Sequence, residues 1–477
     1  MKSPIFILCF ICCALLVRAQ AYEERDIKSF GATGNGITND HAAFQKAADY
    51  FNKRGGNGKL IISEGTYVVG KQTYTKGKNG APCYWGEDLL SLANVHDVTI
   101  EGKHGVKIVY DKGLRFGAFD PATGEPYEHG NNYFVKYTYA AIIGYCIKID
   151  KCNNVTVANL ELDGNSGSLI LGGVYGDVGR QLPHCGVFIG NSKGIVIDGL
   201  NVHHFGLDGI TVGNKVSSTK DNILLQNSSF EYNSRQGLSW IGGNELKVKR
   251  CKFNHTGRGA FSSSPNAGVD IEAEWGPNRN ASFEDCEFIN NRGCAMVADS
   301  GDSGYCSFLN CTFWGTTTWS IWVTKPGFTF TGCNIYGSTV HGYNSPNDKD
   351  ATKYIDCHFE DKEYNGLPPY GTFLVVTNGS RRVNYLNCTF VSHTKKLIWA
   401  ELIANTPQEK YQFNNCTFTV YNTNLPASDW IAVLRGMRYK NCKFEFSKES
   451  RQLGYWLNTC CNGGGNIDGG GNKTSTL

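Results

Sequence analysis

The sequence predicts an all-β fold, a single-stranded right-handed parallel β-helix (solenoid) closed by an N-terminal capping helix. The first observation behind this is a repeated three-residue word. Cys-x-Phe returns at Cys251/Phe253, Cys286/Phe288, Cys311/Phe313, Cys357/Phe359, Cys388/Phe390, Cys416/Phe418 and Cys442/Phe444, with Cys333/Ile335 as a softened copy and Ser228/Phe230 as an earlier one. From Cys251 the gaps are 35, 25, 22, 24, 31, 28 and 26 residues, a mean of about 27. Repeats of this length mark a solenoid, whose units bury their apolar faces only by stacking. The second observation is alternation: Cys and Phe fall on one strand face and the residue between them on the other. The third is composition. Glycine is high at 57, Pro (13) and Met (3) are scarce, and Asn is abundant, which suits many tight turns and few helices.

A length of 477 residues is ordinary for a solenoid, which grows along its axis. The net charge of +3, with signs mixed throughout, gives no case for nucleic acid. Residues 1–21 read as a signal peptide: Lys2, an apolar run from Ile5 to Val17, and Ala19-Gln20-Ala21 as a small-x-small cleavage site. The run is too short to span a bilayer, so the expectation is a secreted or periplasmic protein without a membrane partner. Its oligomeric state is left open. The solenoid is expected over 22–457, with 22–70 as cap and first rungs, and a poorly ordered Gly/Asn-rich tail over 458–477. The ladder cysteines are read as buried free thiols. Cys146, Cys152, Cys294, Cys306 and Cys460-Cys461 lie outside the ladder and are free to pair. Sequons at Asn154, Asn227, Asn254, Asn280, Asn310, Asn378, Asn387, Asn415 and Asn472 fall largely out of the repeat, because Asn favours the turn before a strand.

Within the cap, Ala43, Phe44, Ala47, Ala48 and Phe51 form one apolar helical stripe. Thr38, Asn39 or Asp40 can cap its start and Gly55-Gly56 its end. Such a helix covers the open first rung. The segment Asp26 to Gly70, beginning Asp26-Ile27-Lys28-Ser29-Phe30-Gly31-Ala32-Thr33-Gly34-Asn35-Gly36, resembles the opening of the pectate-lyase-like superfamily of secreted right-handed β-helix proteins. That resemblance implies a carbohydrate-active protein but does not choose among hydrolase, lyase and epimerase. The polygalacturonase signatures Asn-Thr-Asp, Asp-Asp, Gly-His-Gly and Arg-Ile-Lys are absent, so no catalytic residue carries over from that group.

Two polar, aromatic-rich insertions, Phe116–Tyr139 and Gly164–His184, are expected to build one face of a binding groove. The middle repeats hold a second strand after a small residue. They can be laid over one another as Gly209-Ile210-Thr211-Val212, Gly237-Leu238-Ser239-Trp240, Gly268-Val269-Asp270-Ile271-Glu272, Gly293-Cys294-Ala295-Met296 and Ser320-Ile321-Trp322-Val323. Ile210, Leu238, Val269, Ile271 and Ile321 then point inward, while Thr211, Ser239, Asp270, Glu272 and Trp322 share the outer face. Asp270 and Glu272, with Cα atoms roughly 6.5–7 Å apart, are the expected acid/base or acid/nucleophile pair of a glycoside hydrolase acting on a polysaccharide or oligosaccharide. Asp299 is the alternate acid. His204, Asp208, Arg235 and Lys325 are expected to orient substrate, and Trp240, Trp275 and Trp322 to stack on sugar rings. No cofactor or metal is called for. A lyase acting by β-elimination is the second reading, with Arg235 or Lys325 as base and Ca²⁺ held by acidic oxygens. A non-catalytic glycan-binding β-helix is the third.

Overall fold

The computed structural model describes residues 21–129, 135–216, 218–341, 347–371, 373–376, 383–394, 398–400, 411–421, 437–446 and 467–477. The signal peptide, apart from Ala21, and the pair Cys460-Cys461 fall outside them. Among the described residues the chain winds through three strands per turn. One side is a 15-stranded sheet running from Glu23–Asp26 to Ile467–Asp468, and another is an 11-stranded sheet from Leu90–Ala93 to Ile398–Ala400. The third side is a 6-stranded and an 8-stranded sheet. Bridges from Lys252 to Ser229 and to Glu287 join these two. Neighbouring strands within all of these sheets are parallel.

The repeated word makes the core. Phe288 pairs in register with Phe313, then Ile335, Phe359, Phe390, Phe418 and Phe444. The rings stack nearly flat, with Phe288 and Phe313 at 4.7 Å and 6°. A second stack runs through Phe283, Phe308, Phe330, Tyr354 and Tyr385 and meets the first edge-on. This offset is the geometry that ring quadrupoles favour, and each buried ring removes some 150–250 Å² from water. Between the stacks the ladder cysteines are buried free thiols that donate to carbonyls, as Cys286 does to Glu284 at 3.3 Å. Cys146, Cys152, Cys294 and Cys306, expected to be free to pair, are also unpaired thiols. Three of them fill the same narrow core, where no partner sulfur meets them.

The corner before each Cys is a single residue in the left-handed region: Asn310, Asn387, Asn415 and Asn441 have φ of 53° to 55°. Asn tolerates that conformation because its short amide bonds locally. Here the amides also bond to one another, as from Asn415 to Asn387 at 3.2 Å.

The helix His41–Arg54 buries the predicted stripe and ends on Gly55 at φ 75°. Its start differs from a simple cap. Asp40 makes no side-chain cap bond, and its carboxylate instead accepts from the backbone N–H groups of Thr33 (2.8 Å) and Gly34 (2.9 Å). The two insertions form a small side sheet with Gln72–Tyr74 and Tyr84–Gly86, including antiparallel pairs. The tail, expected to be poorly ordered, instead adds strands over its described part. Ile467–Asp468 and Lys473–Thr476 extend two sides of the solenoid. The reason is Asn472, whose side chain accepts from Cys442 N–H (2.8 Å) and donates to Tyr439 O (2.9 Å).

Candidate functional site

The acids lie on the 11-stranded sheet. Its register sets Phe188, Thr211, Ser239, Asp270, Val297, Trp322 and Val340 in one outward column. The inward column beside it holds Val187, Ile210, Leu238, Val269, Met296 and Ile321, all buried. Glycines before the strands allow close stacking at the bend: a Cβ on Gly237 would stand 2.5 Å from Gly268 O, and one on Gly268 2.6 Å from Ala295 O. The register corrects one sequence alignment. The small residue opposite Gly268 is Ala295 rather than Gly293, so Val297 faces Asp270.

Two irregularities shape the site. Asp270 pairs with Val297 and Glu272 with Ser300, so two steps on one strand oppose three on the next. The extra residue leaves the neighbourhood of Asp299 bulged and Asp299 itself exposed. Further along, Trp240 pairs with Ile271 but Gly243 with Asn278, which throws Glu274 and Trp275 outward on a ledge.

Around this bulge the charges gather on one cation. Arg235 Nη1 lies 3.5 Å from Asp208 Oδ2, and Asp208 also accepts from Thr211 Oγ1 at 2.8 Å. Gln236 Nε2 donates to Asp270 Oδ2 at 2.6 Å. Arg235 also interacts electrostatically with Asp270, Glu272 and Glu274. Asp270 faces away from the core yet is only 4% exposed. Burial, with the Glu272 charge next, pushes its carboxyl up to about 8, against the opposing pull of Arg235. Glu272 is half-buried and also raised, by burial and then by Glu274. Burial likewise raises Asp208. One guanidinium cannot neutralise this many carboxylates, so protons are held. Asp208 Oδ1, Arg235 Nε, Gln236 Oε1 and Ser239 Oγ are buried polar atoms without a hydrogen-bond partner.

The structure therefore brings together Asp208, Arg235, Asp270, Glu272 and Asp299, and adds Gln236 and Glu274. Glu274 continues the every-second-residue series that marks Asp270 and Glu272, and that spacing is the signal for it. Gln236 carries no sequence signal. Trp322 stands in the Asp270 column, its ring 4.4 Å from that of Trp319. On the other flank, Trp275 meets Phe188 at 5.7 Å and Phe188 meets Tyr145 at 4.9 Å. Tyr145 lines a depression of about 400 Å³ with Trp85, Asp88 and Pro183. Lys325 follows the Trp322 strand and is half-buried.

Two of the expected residues sit elsewhere. Trp240 is 1% exposed and takes the inward place between Val212 and Ile271, so no sugar can reach it. The alternation that turns Ser239 outward requires this. His204 follows the 6-stranded sheet at a corner, stacked on Tyr232 at 5.5 Å and bonded to His203. Among the described residues, the trio Asp163, His203 and His204 alone has His, Cys, Asp or Glu ligand atoms all within 4.8 Å of one another. The acids of the 11-stranded sheet do not converge in that way.

Residues 145–335 match the family described as the right handed beta helix region. No curated protein sequence matches the chain. Among solved structures, the chain is similar to the N-terminal fragment of gene product 12 of bacteriophage phi29, with 12% identity and a TM-score of 0.52, covering 89% of this chain and 66% of that one. It is also similar to a tailspike protein mutant of E. coli bacteriophage HK620 in complex with a pentasaccharide, with 11% identity and a TM-score of 0.51, covering 94% of this chain and 80% of that one. The family match covers residues 145–335, and the sheets on either side of that stretch continue the same winding, so the chain is a right-handed parallel β-helix.

Proposed function

We propose that this protein is a secreted glycoside hydrolase that cleaves a polysaccharide or oligosaccharide along its 11-stranded sheet. The observation that carries the reading is the group Asp270, Glu272 and Glu274 around Arg235, with Asp299 beside the first two, in which burial pushes the Asp270 carboxyl up to about 8 and raises that of Glu272. Hydrolysis of a glycosidic bond needs one carboxyl that is still protonated and one that is ionised. Glu272, half-buried and raised, is the proton donor to the leaving oxygen. Asp299, exposed on its bulge, is the base or nucleophile. Asp270, behind them and bonded by Gln236, keeps its own proton and spares the site a second buried negative charge. Trp275, backed by the buried ring of Phe188, on one side and Trp319 and Trp322 on the other form stacking surfaces for sugar rings. The pentasaccharide bound by the HK620 tailspike supports a glycan as ligand for this fold. Export rests on the apolar leader between Ile5 and Val17.

Incubation with a panel of glycans tests the reading. New reducing ends without the ultraviolet absorbance of an unsaturated sugar are expected. Unsaturated product means β-elimination instead, and glycan binding with neither signal means a non-catalytic binder.

A further inference from the structure

We propose that Asp163, His203 and His204 form a binding site for a divalent first-row transition metal, zinc being the natural candidate. This site is independent of the acidic cluster and lies on the 6-stranded sheet. Asp163 and His203 are register partners on adjacent parallel strands, so their side chains stand on one face about 4.8 Å apart. His204 is the next residue, at the corner, and its ring turns back. The three ligand atoms lie within 4.8 Å of one another. His203 Nδ1 is 2.7 Å from His204 Nδ1 and 3.6 Å from Asp163 Oδ1. Two imidazoles and a carboxylate are a donor set that suits zinc and its neighbours rather than calcium.

The surroundings orient these ligands. Glu161 Oε1 lies 3.4 Å from His203 Nε2, so His203 keeps its proton on Nε2 and turns an unprotonated Nδ1 inward. A carboxylate behind a ligating histidine is the usual support for a metal centre. At a contact of 2.7 Å between two Nδ1 atoms, one of them must be protonated, and that proton falls to His204. An ion that takes both lone pairs requires the His204 proton to move to its Nε2. Asp163 Oδ1 also accepts from Asn165 N–H at 2.9 Å, which fixes the carboxylate. Lys107 Nζ sits 2.9 Å from Asp163 Oδ2 and 2.9 Å from Glu161, on the side away from His203. It balances one of the two carboxylates and leaves a net negative site for a dication. Asp163 and His203 side chains are 16% and 14% exposed, so an ion and completing waters can enter.

The experiment is titration of the metal-stripped full chain with Co²⁺ and Zn²⁺, following cobalt d–d absorption and the thermal midpoint. Cobalt bands, their displacement by zinc and a higher midpoint with metal are expected. His204→Asn keeps the fold, because the equivalent left-handed corners at Asn165 and Asn290 already use Asn. It should abolish the bands. Glu161→Gln should weaken binding by about 10–100-fold with the ligands intact. Activity on glycans should be unchanged in both variants, which separates this site from the hydrolase reading. Absence of cobalt bands in the wild type, or equal affinity in wild type and His204→Asn, overturns the proposal.

Discussion

Gln236 and Asp270 meet at 2.6 Å across neighbouring rungs, 34 residues apart in sequence, and the bond ties a buried acid of the cluster to the residue beside Arg235. Through it one cation, one amide and several carboxylates act as a unit. Each prediction about the acidic site follows from that coupling.

Glu272→Gln and Asp299→Asn should each lower kcat by about 10²–10⁴-fold, the range for loss of a proton-transferring group, with the thermal midpoint nearly unchanged. Initial rates together with circular dichroism check this. Full activity in either variant removes that residue from the mechanism.

Stability should fall as pH rises. Asp270 holds its proton up to about 8 in the folded chain, whereas an unfolded Asp loses it near about 3.9. The native state therefore binds the extra proton between those values. The contribution is complete below the lower value and is lost as pH climbs through the upper one. Urea midpoints measured across this window should decline in the wild type. In Asp270→Asn, which cannot ionise, the decline should be much shallower.

The two tryptophans should separate cleanly. Trp240→Ala empties a core position and should cost about 3–5 kcal/mol, with little change in KM for the molecules that remain folded. Trp322→Ala should leave the midpoint close to wild type and raise KM. Denaturation curves paired with saturation kinetics distinguish the two outcomes.

At the Asn corners, Asn310→Val should cost about 1–2 kcal/mol, because a β-branched residue resists φ 53°, while Asn310→Gly should be close to neutral. Chemical denaturation of the pair reads the difference.

The ladder thiols should not react with a thiol reagent in the native protein. Cys286, Cys311, Cys333, Cys357, Cys388, Cys416 and Cys442 are at most 1% exposed, and reaction should follow only on unfolding. Colour release with and without denaturant measures it.

How much of this was legible beforehand follows from periodicity. The stacking of Phe288, Phe313, Phe359, Phe390, Phe418 and Phe444 was readable because each word carries its own face assignment, and parallel strands at constant spacing must bring like positions together. The same logic placed Thr211, Ser239, Asp270 and Trp322 in one outer column. It failed where the spacing broke. The bulge that exposes Asp299 and the ledge that carries Glu274 and Trp275 depend on how two neighbouring strands share hydrogen bonds, which no single strand encodes. Nor did alternation disclose that outward-facing Asp270 is shut away from water, since that depends on Arg235 and Gln236 from another rung. Face and column were thus determined by the sequence itself. Burial, protonation and the company each acid keeps were decided only when distant rungs closed over one another, because desolvation is a property of the surroundings rather than of the residue.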